Sequence, residues 1–202
     1  SSLQEKAELV KMTEINQVSQ LFFEQALVFA VEHKNLIESY PAYYPLILAS
    51  IQKLNENSSE KTDDLLLNVY NDFNDYNLRL AVLNAFSLIK VDNPEVASLV
   101  KDVVEQEINK NDMSTLDIFV AGLNALANIK YADSFDLVFE CYKKNICEET
   151  TVASCNALYA LSSLTKDKIL NLVDNGDLID KTLAFHIVTT NHYLNYLLFY
   201  LF

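Results

Sequence analysis

The side chains of this chain best suited to recognition chemistry are carboxamides at a recurring position. Asn84, Asn124 and Asn156 occupy the same place in a block found three times: Ala81-Val-Leu-Asn-Ala-Phe-Ser-Leu-Ile89, Ala121-Gly-Leu-Asn-Ala-Leu-Ala-Asn-Ile129 and Ala153-Ser-Cys-Asn-Ala-Leu-Tyr-Ala-Leu161. Each carboxamide offers both donors and an acceptor, so a column of them on neighbouring helices can bond the N–H and C=O groups of an extended peptide. The same groups can instead satisfy a turn or helix end inside the fold, as most side-chain hydrogen bonds do. The residues alone leave both readings open. Asn128 is a fourth candidate for the same surface.

Other chemistry lacks its usual partners. His186 and His192 are six residues apart, on opposite sides of a helix, and neither has an acid at ligand spacing. Cys141, Cys147 and Cys155 form no Cys-x-x-Cys pair and no Cys/His cluster that would hold zinc. Cys155 stands where the other two blocks have leucine, so it reads as a small core residue. The chain has no Gly-rich phosphate loop, Gly-x-Ser-x-Gly elbow or Cys/His nucleophile pair. No catalytic residue, cofactor site or metal site is therefore assigned, and the chain reads as a non-enzyme.

Charge narrows the partners. The formal net charge is −13 and Arg79 is the single arginine, so no basic stripe exists to neutralise a nucleic-acid backbone. An acidic surface repels anionic lipid as well, which leaves a protein or peptide, above all a basic one, as the partner that electrostatics would recruit. The densest acidic stretch, Glu56, Glu60, Asp63, Asp64, Asp72 and Asp75, reads as a solvated loop and helix face. Tyr40, Tyr43 and Tyr44 surround two prolines and read as the seal of a helix junction. Three cysteines cannot all pair with one another, which fits a reducing compartment such as the cytoplasm. The first residue is Ser1, so a removed signal or anchor stays open and no compartment is assigned.

These residues need helices to position them. Only two Gly and three Pro punctuate 202 residues, and an all-β fold would need turn residues every ~8–12 positions. The block itself, with Ala at its first and fifth places and larger apolar residues at its sixth and ninth, describes a helix face pressed closely on neighbours. Forty residues separate Asn84 from Asn124 and thirty-two separate Asn124 from Asn156, a variable period of the two-helix kind. Helices are expected over Ser2–Ser39 with a break near Met12 to Ile15, and over Leu46–Leu54, Asp63–Phe73, Leu78–Val91, Pro94–Asn109 and Thr115–Lys130. Further helices follow at Ser134–Asn145, Thr150–Leu164, Lys166–Val173 and Leu178–Phe202. Asn93-Pro94-Glu95, Ser114-x-x-Asp117, Asp133-x-x-Asp136 and Asp177-x-x-Asp180 supply starts, and Asn175-Gly176 a stop.

The run from Leu78 to Glu95 resembles the second helix of a HEAT-like repeat with the turn into the next, and Phe119 to Lys130, continued by Asp133 to Tyr142, resembles the same unit again. This resemblance to the HEAT/armadillo-type repeats covers about Thr62 to Val173, while the first sixty residues match poorly. It implies an all-α, right-handed superhelical solenoid of stacked antiparallel helix pairs that binds other macromolecules. The expected organisation is one continuous domain: irregular N-terminal helices over 1–61, repeats over 62–173 and an apolar C-terminal helix over 174–202. That helix is interrupted by Asp180, Lys181, His186, Asn191, His192 and Asn195, and a membrane span needs ~20 mainly apolar residues. No span is expected; instead Leu197, Leu198, Phe199, Leu201 and Phe202 should be covered by the last repeat together with a second copy of the chain or a C-terminal continuation. A structural subunit packed through that end is the alternative to a peptide-binding scaffold; a HEAT-like lyase or hydroxylase is a third reading.

Overall fold

The computed structural model describes residues 2–55, 58–110 and 113–190. All regular structure among these residues is helical. The helices are α1 (Leu3–Met12), α2 (Gln17–Glu32), α3 (Lys34–Ser39), α4 (Tyr44–Leu54), α5 (Thr62–Asp72) and α6 (Tyr76–Phe86). They continue with α7 (Pro94–Ile108), α8 (Leu116–Ile129), α9 (Phe135–Lys144), α10 (Glu148–Leu161), α11 (Lys166–Asn175) and α12 (Leu178–Thr190). Short 3-10 turns at Pro41–Tyr43 and Ala132–Ser134 lead into α4 and α9.

Local chemistry sets most of the boundaries. Ser2 and Glu5 form a reciprocal capping box on α1, and the Asn16 side chain accepts from Val18 and Ser19 at the start of α2, which is where the long N-terminal stretch breaks. Asn93 caps α7 ahead of Pro94, and Asp177 accepts from the Asp180 amide at 2.8 Å. Gly176 ends α11 because a Cβ there would meet the Leu172 carbonyl oxygen at 2.4 Å. Lys130 and Asn145 end α8 and α9 in the left-handed region, at φ 56° and 46°.

Several expected boundaries are corrected. The helix through the first block stops at Phe86, because Ser87, Leu88 and Ile89 tighten into turns on the carbonyls of Leu83, Asn84 and Ala85. The expected start at Ser114-x-x-Asp117 has Thr115 at the cap position, its hydroxyl donating to Glu107 instead of capping the helix, and Asp133 lies inside the 3-10 turn before α9. Helix α10 begins at Glu148 because the Cys147 amide bonds the Thr150 hydroxyl, a cap formed by a residue type that seldom serves as one.

Packing follows two series of helices. In one, α4, α6, α8 and α10 touch in turn, and α12 follows α10; in the other, α2 touches α5, α5 touches α7 and α7 touches α9. Across the series, α2 meets α4, α5 meets α6, α7 meets α8 and α9 meets α10, while α1 lies against α4. The block alanines are what allow close approach: Ala81, Ala85, Ala121, Ala125, Ala153 and Ala157 are all buried. Gly122 brings α8 nearer still to α7, since a Cβ there would lie 2.8 Å from a methyl of Val104. A single cluster of buried side chains runs from Val10 to Val188, with Phe23, Phe73, Phe86 and Phe135 its largest fully enclosed members.

Candidate binding face

Asn84, Asn124 and Asn156 lie on α6, α8 and α10, helices that contact one another in order. All three are exposed, and none of their carboxamides bonds another described residue. Leu83 and Ala85 around Asn84, and Leu123 and Ala125 around Asn124, are buried; beside Asn156, Ala157 is buried and Cys155 half-buried. The block thus turns its apolar arc inward and leaves one polar edge for solvent.

Three hydrogen bonds set the register between α6 and α8. At the N-terminal ends the Tyr76 hydroxyl donates to the Asp117 carboxylate. At the C-terminal ends the Asn128 side-chain amide donates to the carbonyl oxygens of Phe86 at 2.9 Å and Ile89 at 2.7 Å. These links require parallel helices and bracket Asn84 and Asn124, which therefore occupy matching positions. They also divide the sequence candidates: the donors of Asn128 satisfy carbonyls at and just after the end of α6, whereas the carboxamides of the other three bond no group among the described residues.

Gln52 belongs with them, and the sequence reading missed it. Ala49-Ser-Ile-Gln-Lys-Leu54 repeats the block with Gln at the Asn place, thirty-two residues before Asn84, the same interval that separates Asn124 from Asn156. Ala49, Ile51 and Leu54 are buried, Gln52 is exposed, and α4 touches α6. The signal was obscured because Lys53 replaces the block alanine. One turn before each carboxamide stands an aliphatic residue: Leu48, Leu80 and Val120, half-buried against the core, and Val152, 53% exposed.

The electrostatics of this face are one-sided. Within α4, α6, α8 and α10 the exposed side chains that are charged at neutral pH are acids: Asp117, Glu148 and Glu149. The two basic residues, Lys53 and Arg79, are half-buried; Arg79 donates to the Phe73 carbonyl at 3.0 Å and stacks over the Tyr70 ring. The hydrogen bond from Tyr76 to Asp117, with burial and the neighbouring negative charges adding to it, pushes the phenol up to about 12.

Elsewhere the structure corrects two sequence readings. Asp63 is not a solvated acid: it is 4% exposed, and its carboxylate accepts from the Asp92 and Asn93 amides, both at 2.9 Å, holding the turn between α6 and α7 against α5. Cys155 is half-buried and hydrogen-bonded to Tyr142, while Cys141 is the enclosed thiol, pushed up to about 12 by burial. Tyr43 and Tyr44 pack on Phe29 and Phe73, and Tyr40 stays exposed. His186 sits beside Tyr159. His192 and the apolar set Leu197, Leu198, Phe199, Leu201 and Phe202 lie outside the described residues. Among the described residues no group of three or more His, Cys, Asp or Glu side chains converges to hold a metal, and no helix is long and apolar enough to cross a membrane.

No family model, curated protein or solved structure matches the chain.

Proposed function

We propose that this chain is a non-catalytic, HEAT-like solenoid that binds a protein or peptide along the face formed by α4, α6, α8 and α10. The observation that carries this reading is the set of exposed carboxamides at one block position, unbonded to any described residue, on helices that contact in order. A helix surface with no recognition role has little reason to repeat one polar side chain type at one place, and a carboxamide satisfies both halves of a peptide group. The two series of contacting helices are consistent with the stacked helix pairs of the right-handed superhelix that the HEAT-like resemblance implies. The absence of nucleophile, phosphate-loop and ligand-pair motifs from the sequence favours a scaffold over a lyase or hydroxylase.

The test replaces Asn84, Asn124 and Asn156 together by Ala and screens both proteins against a displayed library of random peptides. The parent should enrich peptides that the triple variant does not hold, while the two melt within a few degrees of one another. Equal enrichment by both would end the proposal.

A second reading, a structural subunit packed through an end of the array, is favoured by a different observation. Around a cavity of about 560 Å³ between α1 and α2, the side chains of Leu9, Val18 and Phe22 are 60%, 80% and 53% exposed. Exposed apolar surface of this kind marks packing sites. Sedimentation of the parent and of a Phe22→Asp variant separates the readings: association lost in the variant supports the subunit, and a monomer in both leaves the peptide face as the functional surface.

A further inference from the structure

The peptide-binding face carries two parallel rows whose spacing selects the conformation and the sequence of an occupant. One row is Gln52, Asn84, Asn124 and Asn156. The other, a helical turn earlier on each helix, is Leu48, Leu80, Val120 and Val152. Residues four apart share one face of a helix, so a segment laid across the four helices meets a carboxamide and an aliphatic side chain at every station. Packed helices lie ~8–10 Å apart.

That spacing discriminates between extended conformations. A β-strand advances ~10 Å in three residues, but its side chains alternate, so every third one points to the opposite face. A left-handed polyproline-type helix advances ~9.3 Å in three residues and returns the same side chain direction each time. Only the second can seat successive side chains in the aliphatic row while its backbone passes the carboxamides. One turn before the aliphatic row, the exposed charges on these helices are those of Asp117 on α8 and of Glu148 and Glu149 on α10, with no exposed base within the helices. Positive charge on the occupant is therefore complemented, and negative charge repelled.

Resting on the peptide-binding reading above, we infer that the occupant is a polyproline-type segment of about ten residues, carrying an aliphatic side chain at every third position and lysine or arginine between.

Two synthetic peptides of identical composition test it, each with four leucines, three prolines and three lysines. In the first, Leu-Pro-Lys is repeated three times and closed by Leu; in the second, the leucines occupy alternate positions. Fluorescence anisotropy should give at least about ten-fold tighter binding of the first, a difference of ~1.4 kcal/mol. Val152→Asp and Gln52→Ala should each weaken the first peptide several-fold and leave melting unchanged, since both side chains are exposed. Equal affinity for the two peptides overturns the period-three rule. In that case loss of both on the triple Asn→Ala change keeps the peptide-binding reading alive, and binding of both that ignores the triple change sinks that reading as well. No measurable binding of the first peptide overturns the inference, while the library screen still decides the broader reading by itself. An unaltered affinity in Gln52→Ala removes α4 from the site and overturns the four-station length.

Discussion

Around α1 and α2 several large apolar side chains, Leu9, Val18, Leu21 and Phe22, are exposed and belong to no repeated pattern, whereas along α4, α6, α8 and α10 the fourth place of the block is an exposed carboxamide each time. The two surfaces have different physical origins. Helices α6 and α8 have helix neighbours on both flanks, whereas α1 and α2 begin the series and pack on α4 and α5, and Leu9, Val18 and Phe22 remain in solvent. The carboxamide row is not an end effect. It lies on helices whose flanks are covered, at the edge of the apolar arc, where any polar residue would serve solubility equally well. On the proposed reading, repetition of Asn or Gln there belongs to the peptide-binding face, while exposure at α1 and α2 belongs to the alternative, packing through that end.

The difference can be broken or sharpened by mutation. The largest expected effect separates buried from exposed aromatics. Phe86→Ala, at 0% exposure on α6, should cost ~3–5 kcal/mol in denaturant unfolding. Phe22→Ala at the α1–α2 end, 53% exposed, should cost under ~1 kcal/mol. Comparable losses would mean that the α1–α2 cavity is part of the monomer's own core.

A smaller effect separates asparagines that look alike in sequence. Asn128→Ala removes two hydrogen bonds to the end of α6 and should destabilise by ~1 kcal/mol or somewhat more. Asn84→Ala removes none and should stay within ~0.5 kcal/mol of the parent. If the single Asn84 change matches Asn128→Ala in thermal melting, the carboxamide row is structural and the contrast with the α1–α2 end collapses.

The smallest effect concerns Tyr76. Its folded-state pKa of about 12 is above the ordinary value of 10.0, so whatever the bond to Asp117 contributes is fully present below about pH 10 and is lost as pH rises through about 12. Both groups are exposed, so Tyr76→Phe should cost under ~1 kcal/mol at neutral pH. Among the raised phenols, which include Tyr44, Tyr70 and Tyr142, ring-carbon NMR of labelled tyrosine should show one titrating at about 12 that vanishes in Tyr76→Phe; a Tyr76 resonance titrating near 10 would remove this register bond between α6 and α8.

Much of this architecture could be read from the chain. Scarce Gly and Pro, caps such as Ser2, Asn16 and Asn93, and the Ala-rich block with its apolar arc are local properties, because helix formation and amphipathicity depend on residues three and four apart. The break between α1 and α2 and the exposure of Asn84, Asn124 and Asn156 follow from the same local rules. What the tertiary structure decided is which polar groups have partners. Asn128 and Asn84 are equally polar residues at the edge of equally apolar arcs, yet Asn128 reaches the open carbonyls of Phe86 and Ile89, about forty residues away in sequence, and the Asn84 side chain bonds no group among the described residues. Asp63 reads as a surface acid until the turn after α6 folds back onto it and presents two amides. Gln52 joins the row only once α4 is seen against α6. Whether a polar group stays free for a partner or is consumed by the fold depends on contacts between distant segments, and helical periodicity carries no record of them.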